Sequence, residues 1–305
     1  MKLFDSKRRD RADAIAEDTT PNVKYFFKSL WRKLTRLVSI NLLAILQFVP
    51  IFAALMVYFW SETTPMITNT AYPTLQGIAD FNTVSPADMV TLMASSIQSN
   101  ELYISTATMI IIGAIMLVFA LTFGLWNVGL AYLMRELVNG NPVFIFADMK
   151  HAIKRNFKQG LLFGLLDFAL IVILFVDFNY LGALPSSFYS DFMYMAIIAI
   201  SLIYFIMRFY LYVMLVTFDM NVKKLFKNAL IFVALGIKRN LLAILWIVVM
   251  IFINFLLFAL LPPLGLIFPI LYLPAFPLFT TTYAAYPIIK KYMIDPVPQP
   301  ETEEE

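Results

Sequence analysis

The 305-residue chain has no cysteine and only one histidine, His151. The first absence excludes disulfides, thiolate metal sites and cysteine nucleophiles; the second excludes any multi-histidine site. Charge is scarce too. Asp, Glu, Lys and Arg make up 14% of residues, against about 25% in an ordinary globular chain. There is no glycine-rich phosphate loop, zinc-binding pair of histidines, Ser/His/Asp set or pair of intramembrane aspartates. Neither enzymatic chemistry nor a cofactor is expected, and no nucleic-acid partner.

What the chain does have is apolar surface. Hydrophobic residues reach 61%, with 29 Phe among them, more than a water-soluble fold of this length can cover. Five apolar stretches can form spanning helices of about 20 residues: 38–60, 103–134, 161–178, 192–217 and 241–261. A sixth, 264–287, contains Pro269, Pro274, Pro277 and Pro287. None alternates with a two-residue period, so helices rather than barrel strands are the reading. The expected fold is an all-α polytopic bundle of six transmembrane helices, with one membrane domain over 21–292.

Lys and Arg set the orientation. Of 23 basic residues, 22 fall in alternate connections or the leader, and Arg208 is the remainder. The 61–102 and 179–191 loops and the Leu261-Pro262-Pro263-Leu264 turn hold none. The positive-inside rule then makes the basic side cytoplasmic and places both termini there. Residues 1–20, charged and poor in apolar side chains, lack the layout of a cleaved signal peptide and read as a disordered leader. Residues 293–305 read as a disordered acidic tail.

The segments leading into the odd-numbered spans look alike. Thr20-Pro21 fits a helix start. Val23, Phe26, Phe27, Leu30, Leu34 and Leu37 then recur at helical spacing opposite Lys24, Lys28, Arg32 and Arg36. Such a helix is expected in the inner interface, with its basic face on the phosphates of an anionic leaflet. Val222, Leu225, Phe226 and Ala229 oppose Lys223, Lys224 and Lys227 in the same way, and 145–159 does so more weakly. Exact words recur as well: Asn41-Leu-Leu-Ala-Ile-Leu46 returns at 240–245, and Ile153-Lys-Arg-Asn156 at 237–240. The pattern predicts three hairpins, each preceded by a cytoplasmic amphipathic helix. Convergence of every membrane entry on basic residues followed by leucines would produce the same words.

One stretch resembles a known family. Gly129-Leu-Ala-Tyr-Leu-Met-Arg135-Glu-Leu-Val-Asn139-Gly140-Asn-Pro142 is followed by Phe146-Ala-Asp148 and by Ile153-Lys-Arg-Asn156-Phe157-Lys158-Gln159-Gly160. It is similar to the YesL-type family of bacterial polytopic membrane proteins, a domain class of unknown function. Phe218-Asp219 through Lys227-Asn228-Ala229-Leu230, and Asn41 to Pro50, look like other parts of the family. The 61–102 loop, at about 40 residues, is longer than that pattern. The resemblance implies a bacterial plasma-membrane protein encoded near carbohydrate importers, hence an accessory or scaffold role beside carbohydrate ABC importer subunits. It implies no catalytic or binding residue, and the chain lacks the cytoplasmic Glu-Ala-Ala loop of importer permeases.

Intramembrane charge is the sharpest single signal. Asp167 lies nine residues in from Lys158, about 14 Å, and Arg208 eleven in from Asp219, about 16 Å. An unpaired charge in hydrocarbon costs at least roughly 2.5–3.5 kcal/mol, so an Asp167–Arg208 ion pair is expected. It reads either as a hairpin lock or as a polar pivot for a solute; alternatively, Arg208 snorkels to the interface. Asn41, Gln47, Asn127 and Asn254 are expected to link helices. Gly124, Gly129, Gly160 and Gly164 permit close helix contact. Pro269, Pro274 and Pro277 release carbonyls near residues 265, 270 and 273, which must be buried in protein or line a cavity. That break reads as a packed kink or as part of a small-solute path near Asp167 and Arg208. In the 61–102 loop, Ser85-Pro-Ala-Asp88 fits a capping box; the loop reads as a lid, a docking surface or a plain cap.

Overall fold

The computed structural model describes residues 22–60 and 105–296. The leader, the 61–102 loop with its Ser85–Asp88 box, and the acidic tail from 297 onward lie outside the described residues. All regular structure among the described residues is helical. The helices are α1 (Val23–Arg32), α2 (Leu34–Ile45), a 3-10 turn (Leu46–Phe48), α3 (Val49–Phe59), α4 (Thr106–Asn139), α5 (Ile145–Arg155) and α6 (Phe157–Ala183). Then follow α7 (Phe188–Thr217), α8 (Val222–Leu235), α9 (Ile237–Leu260), α10 (Pro262–Tyr272), α11 (Ala275–Ile289) and a π turn (Lys290–Ile294). Among the described residues, five helical stretches are long and apolar enough to cross a membrane, Leu34–Phe59 being the first. There are six if α10 and α11, bent by 47°, count as one.

Several boundaries differ from the sequence reading. The first helix starts at Val23, where the Asn22 side chain caps it by accepting from the Tyr25 N–H at 2.7 Å; Thr20 and Pro21 lie outside the described residues. It does not continue through Leu37. It breaks at Lys33 (φ −104°, ψ 6°), so Arg36 belongs to the next helix. The first span is interrupted as well as the last: Pro50, lacking an N–H, cannot bond the Leu46 carbonyl, and a 3-10 turn stands there. α6 runs beyond the expected 161–178 at both ends.

The chain divides into two compact units. The smaller, Gln47–Leu121, holds α3 and the first half of α4, with Ala54, Phe119 and Ala120 buried. In the larger, the C-terminal half of α7 forms the centre. From Tyr204 to Val216 every residue but Phe205 and Arg208 is buried. Leu225 and Phe232 of α8, Phe163 of α6, Ala243 of α9 and Ala285 of α11 join the same cluster. A second cluster gathers Leu37 and Ile40 of α2, Leu133 and Met134 of α4, and Phe279 of α11. Phe26 of α1 belongs to it, stacked on Phe279 at 6.1 Å. An acyl-facing position was expected for Phe26; protein has taken it instead, because helix–helix packing offers denser contacts than lipid tails do.

Glycine makes the closest crossing possible. A Cβ added at Gly124 of α4 would lie 2.4 Å from the Gly164 Cα and 2.2 Å from the Gly160 carbonyl oxygen. Backbone therefore meets backbone between α4 and α6, and no larger residue fits. This brings Asp167, one turn beyond Gly164, into the core.

Candidate functional site

The buried charge sits where α6 faces α7. Asp167 is fully buried, and Arg208 Nε lies 3.0 Å from its Oδ1 and 3.3 Å from its Oδ2. The structure thus brings together the two intramembrane charges. Two tyrosines complete the group: Tyr204 Oη donates to Oδ1 at 2.7 Å and Tyr212 Oη to Oδ2 at 2.6 Å. A carboxylate offers about four lone-pair sites, and each oxygen here receives a hydroxyl and a share of the guanidinium. The set is electrically balanced, and three donors, two hydroxyls and the single Nε–H, take all but one of those sites. Tyr204, Arg208 and Tyr212 stand at i, i+4 and i+8, one face of one helix. That spacing was available in the sequence, but the two tyrosines pass unnoticed among the chain's 15.

Rings seal the group. Tyr212 meets Phe163 edge-on at 5.1 Å, and Tyr204 stacks on Phe226 at 6.4 Å. The Arg208 guanidinium carbon lies 5.8 Å from the Phe123 ring centroid. Its side chain is 27% exposed, so Arg208 is only partly enclosed, whereas Asp167 is wholly so.

The break between α10 and α11 is held by a residue from the first span. Asn41 Nδ2 donates to the Ile270 carbonyl at 2.7 Å, and its Oδ1 accepts the Ala275 N–H at 2.7 Å. Ile270 is the carbonyl that Pro274 leaves without a helical donor. Asn41 is fully buried, so the break is filled by a side chain from α2. Asn240 does related work in α9: it accepts from Tyr210 Oη at 2.7 Å and donates to the Val233 carbonyl at 3.1 Å. Asn127 does not link helices as expected; its amide bonds the Phe123 carbonyl of its own helix at 2.8 Å. Asn254 Oδ1 is buried without a partner, and Gln47 is buried in the smaller unit.

At the basic ends, several cations donate to backbone carbonyls, the exposed Arg36 among them. Lys33 Nζ donates to the Leu137 carbonyl, Arg36 Nη1 to Val143 at 3.3 Å, and Arg135 Nη1 to Val216 at 2.9 Å. Leu137 and Val216 are last-turn carbonyls of α4 and α7, beyond the regular helical ladder; the Leu137 carbonyl also accepts the Gly140 N–H at 3.1 Å. Burial lowers the Lys33 pKa to about 8, with Arg32 adding to the effect. Lys24, Lys28, Arg32, Lys223, Lys224 and Lys227 are exposed. His151 is exposed, its ring 6.4 Å from that of Tyr132. A cleft of about 610 Å³ is lined by Lys154, Arg155, Lys158 and the end of α7. Of the kink prolines, Pro269 lies inside α10, Pro274 precedes α11 and Pro277 lies in its first turn.

No family model, curated protein or solved structure matches this chain.

Proposed function

We propose that this protein is a non-enzymatic accessory or scaffold component of the bacterial plasma membrane, associated with a carbohydrate uptake system. The observation that carries the reading is the full burial of Asp167 among donors from the bundle itself. Its two oxygens accept from Tyr204, Tyr212 and Arg208, and the proline break is occupied by Asn41. Polar groups paired within the bundle hold helices in register rather than face a passing solute. The likeness of Gly129 to Gly160 to the YesL-type family supports the partner class.

In this reading the basic ends are cytoplasmic and the spans form three hairpins, each entered through an amphipathic helix on the anionic inner leaflet. Three near-identical breaks support it: Lys33 (φ −104°, ψ 6°), Asn156 (−108°, 21°) and Gly236 (−94°, 10°) each separate a short helix from a span. The apolar faces of α6 and α7 away from the basic ends are the surfaces for lateral association. The second reading, a small-solute path, has one observation in its favour, the partial exposure of the Arg208 side chain.

Mild-detergent purification from the native host with mass spectrometry separates the two. Stoichiometric recovery of carbohydrate importer subunits is expected. Solute flux catalysed in liposomes by the protein alone, with no importer subunit recovered, would establish the second reading instead.

A further inference from the structure

A groove of about 490 Å³ runs between α1, α9 and α11. Its walls are Val23, Phe26 and Phe27 on one side and Leu242, Leu245 and Trp246 on the other. Trp246 meets Phe27 edge-on at 5.0 Å and Phe26 at 6.1 Å, making an aromatic floor. The hydroxyls along it point into protein: Thr280 Oγ1 donates to the Phe276 carbonyl and Tyr283 Oη to the Asn22 carbonyl, each at 2.9 Å. The remaining lining is apolar apart from Asn22 and Arg239.

We propose that this groove binds one acyl chain of an anionic phospholipid, with the lipid phosphate at Arg239. Three features point to that occupant. From Arg239 to Val249 is ten residues, about 15 Å of helix, half of a hydrocarbon core of about 30 Å. The groove therefore has the reach of a single leaflet. Its rim residues Leu242 and Leu245 are more than half exposed, so the opening faces the lipid phase along its length. Charge complementarity completes the match: Arg239 stands at the basic end beside the exposed Lys238, and among the described residues none that lines the groove is acidic. Long basic side chains keep their heads at the phosphate level while their stems lie on apolar surface. This inference stands apart from the accessory role: a transporter would use the same site.

Trp246 provides the probe. The chain has four tryptophans, and replacing Trp31, Trp60 and Trp126 by Phe leaves Trp246 alone. The full-length protein is reconstituted in phosphatidylcholine vesicles containing a low mole fraction of acyl-brominated phosphatidylglycerol or acyl-brominated phosphatidylcholine. Quenching is expected to saturate at about fivefold lower mole fraction for the anionic lipid, the effect of one basic residue near the surface. Arg239→Gln should abolish that preference without removing quenching, and Val249→Phe should weaken quenching by both lipids. Equal, non-saturating quenching by the two lipids, untouched by either substitution, would overturn the proposal. So would quenching that appears only after deletion of residues 1–20, since the chain's own leader would then fill the groove.

Discussion

The two ends of the larger unit differ sharply in how they are packed. Along α7, no residue from Asp191 to Ile203 is buried, whereas eleven of the thirteen from Tyr204 to Val216 are. α6 and α9 show the reverse order along the chain because they run the other way. Asp167 is the last buried residue of α6, and Met250 the last of α9. The packed end is the basic one in every case. Burial of Leu or Phe is no explanation, since lipid tails are as apolar as a protein core and both ends are rich in such residues. The difference lies in the polar groups. Asp167, Asn41 and Asn240, the glycine crossing and the capping cations all sit at the basic end. Each supplies a contact that lipid cannot replace.

Removing those contacts should therefore erase the difference in order of their satisfaction. Asp167→Ala takes one acceptor from two tyrosines and one counter-charge from Arg208. Breaking a buried pair this way costs about 3–5 kcal/mol, readable as loss of folded protein in a detergent unfolding titration. Asp167→Leu with Arg208→Leu should cost less than Asp167→Leu alone, because no uncompensated charge remains. Gly164→Leu comes next. Its Cβ would stand 2.1 Å from the Gly124 Cα, so helices α4 and α6 must part at a cost of about 1–3 kcal/mol or more. The matching change at Gly113, where a Cβ meets nothing within 4 Å, should leave the unfolding midpoint unchanged.

Asn41→Leu is expected to have a comparable or smaller effect. It strands the Ile270 carbonyl and the Ala275 N–H, at about 1–3 kcal/mol for a buried unsatisfied group. Increased protease sensitivity confined to the α10–α11 break would localise the damage. The smallest effect belongs to Lys33. Its folded pKa of about 8 lies below the ordinary 10.5, so the unfolded chain binds more protons between those values. Stability should rise as pH goes from about 8 to 10.5 and level off above. Lys33→Met should flatten the rise; a rise of the same size in that variant would assign it to another group.

Much of this end was legible in the sequence, for identifiable reasons. Asp167 and Arg208 declare themselves because charge is rare in apolar runs and depth can be counted from flanking residues. Their tyrosine partners follow from spacing on α7 only once Arg208 is known to face inward. The freed carbonyl near residue 270 is a local consequence of Pro274. Its partner, Asn41, lies 229 positions away, and no local pattern encodes that distance. The glycines were visible, but which of them meet depends on the crossing of two helices. The break at Lys33 was hidden because the apolar period runs through it without interruption.

Site-directed spin labelling tests the two-ended packing most directly, and the absence of cysteine in the native chain makes single-site labels simple. Labels at Ile200, Leu202, Leu211 and Val213 of α7 sample both sides of the transition at Tyr204. In lipid bilayers, oxygen accessibility measured by paramagnetic resonance should be high at Ile200 and Leu202 and low at Leu211 and Val213. Equal accessibility at all four, or the opposite order, would contradict the account.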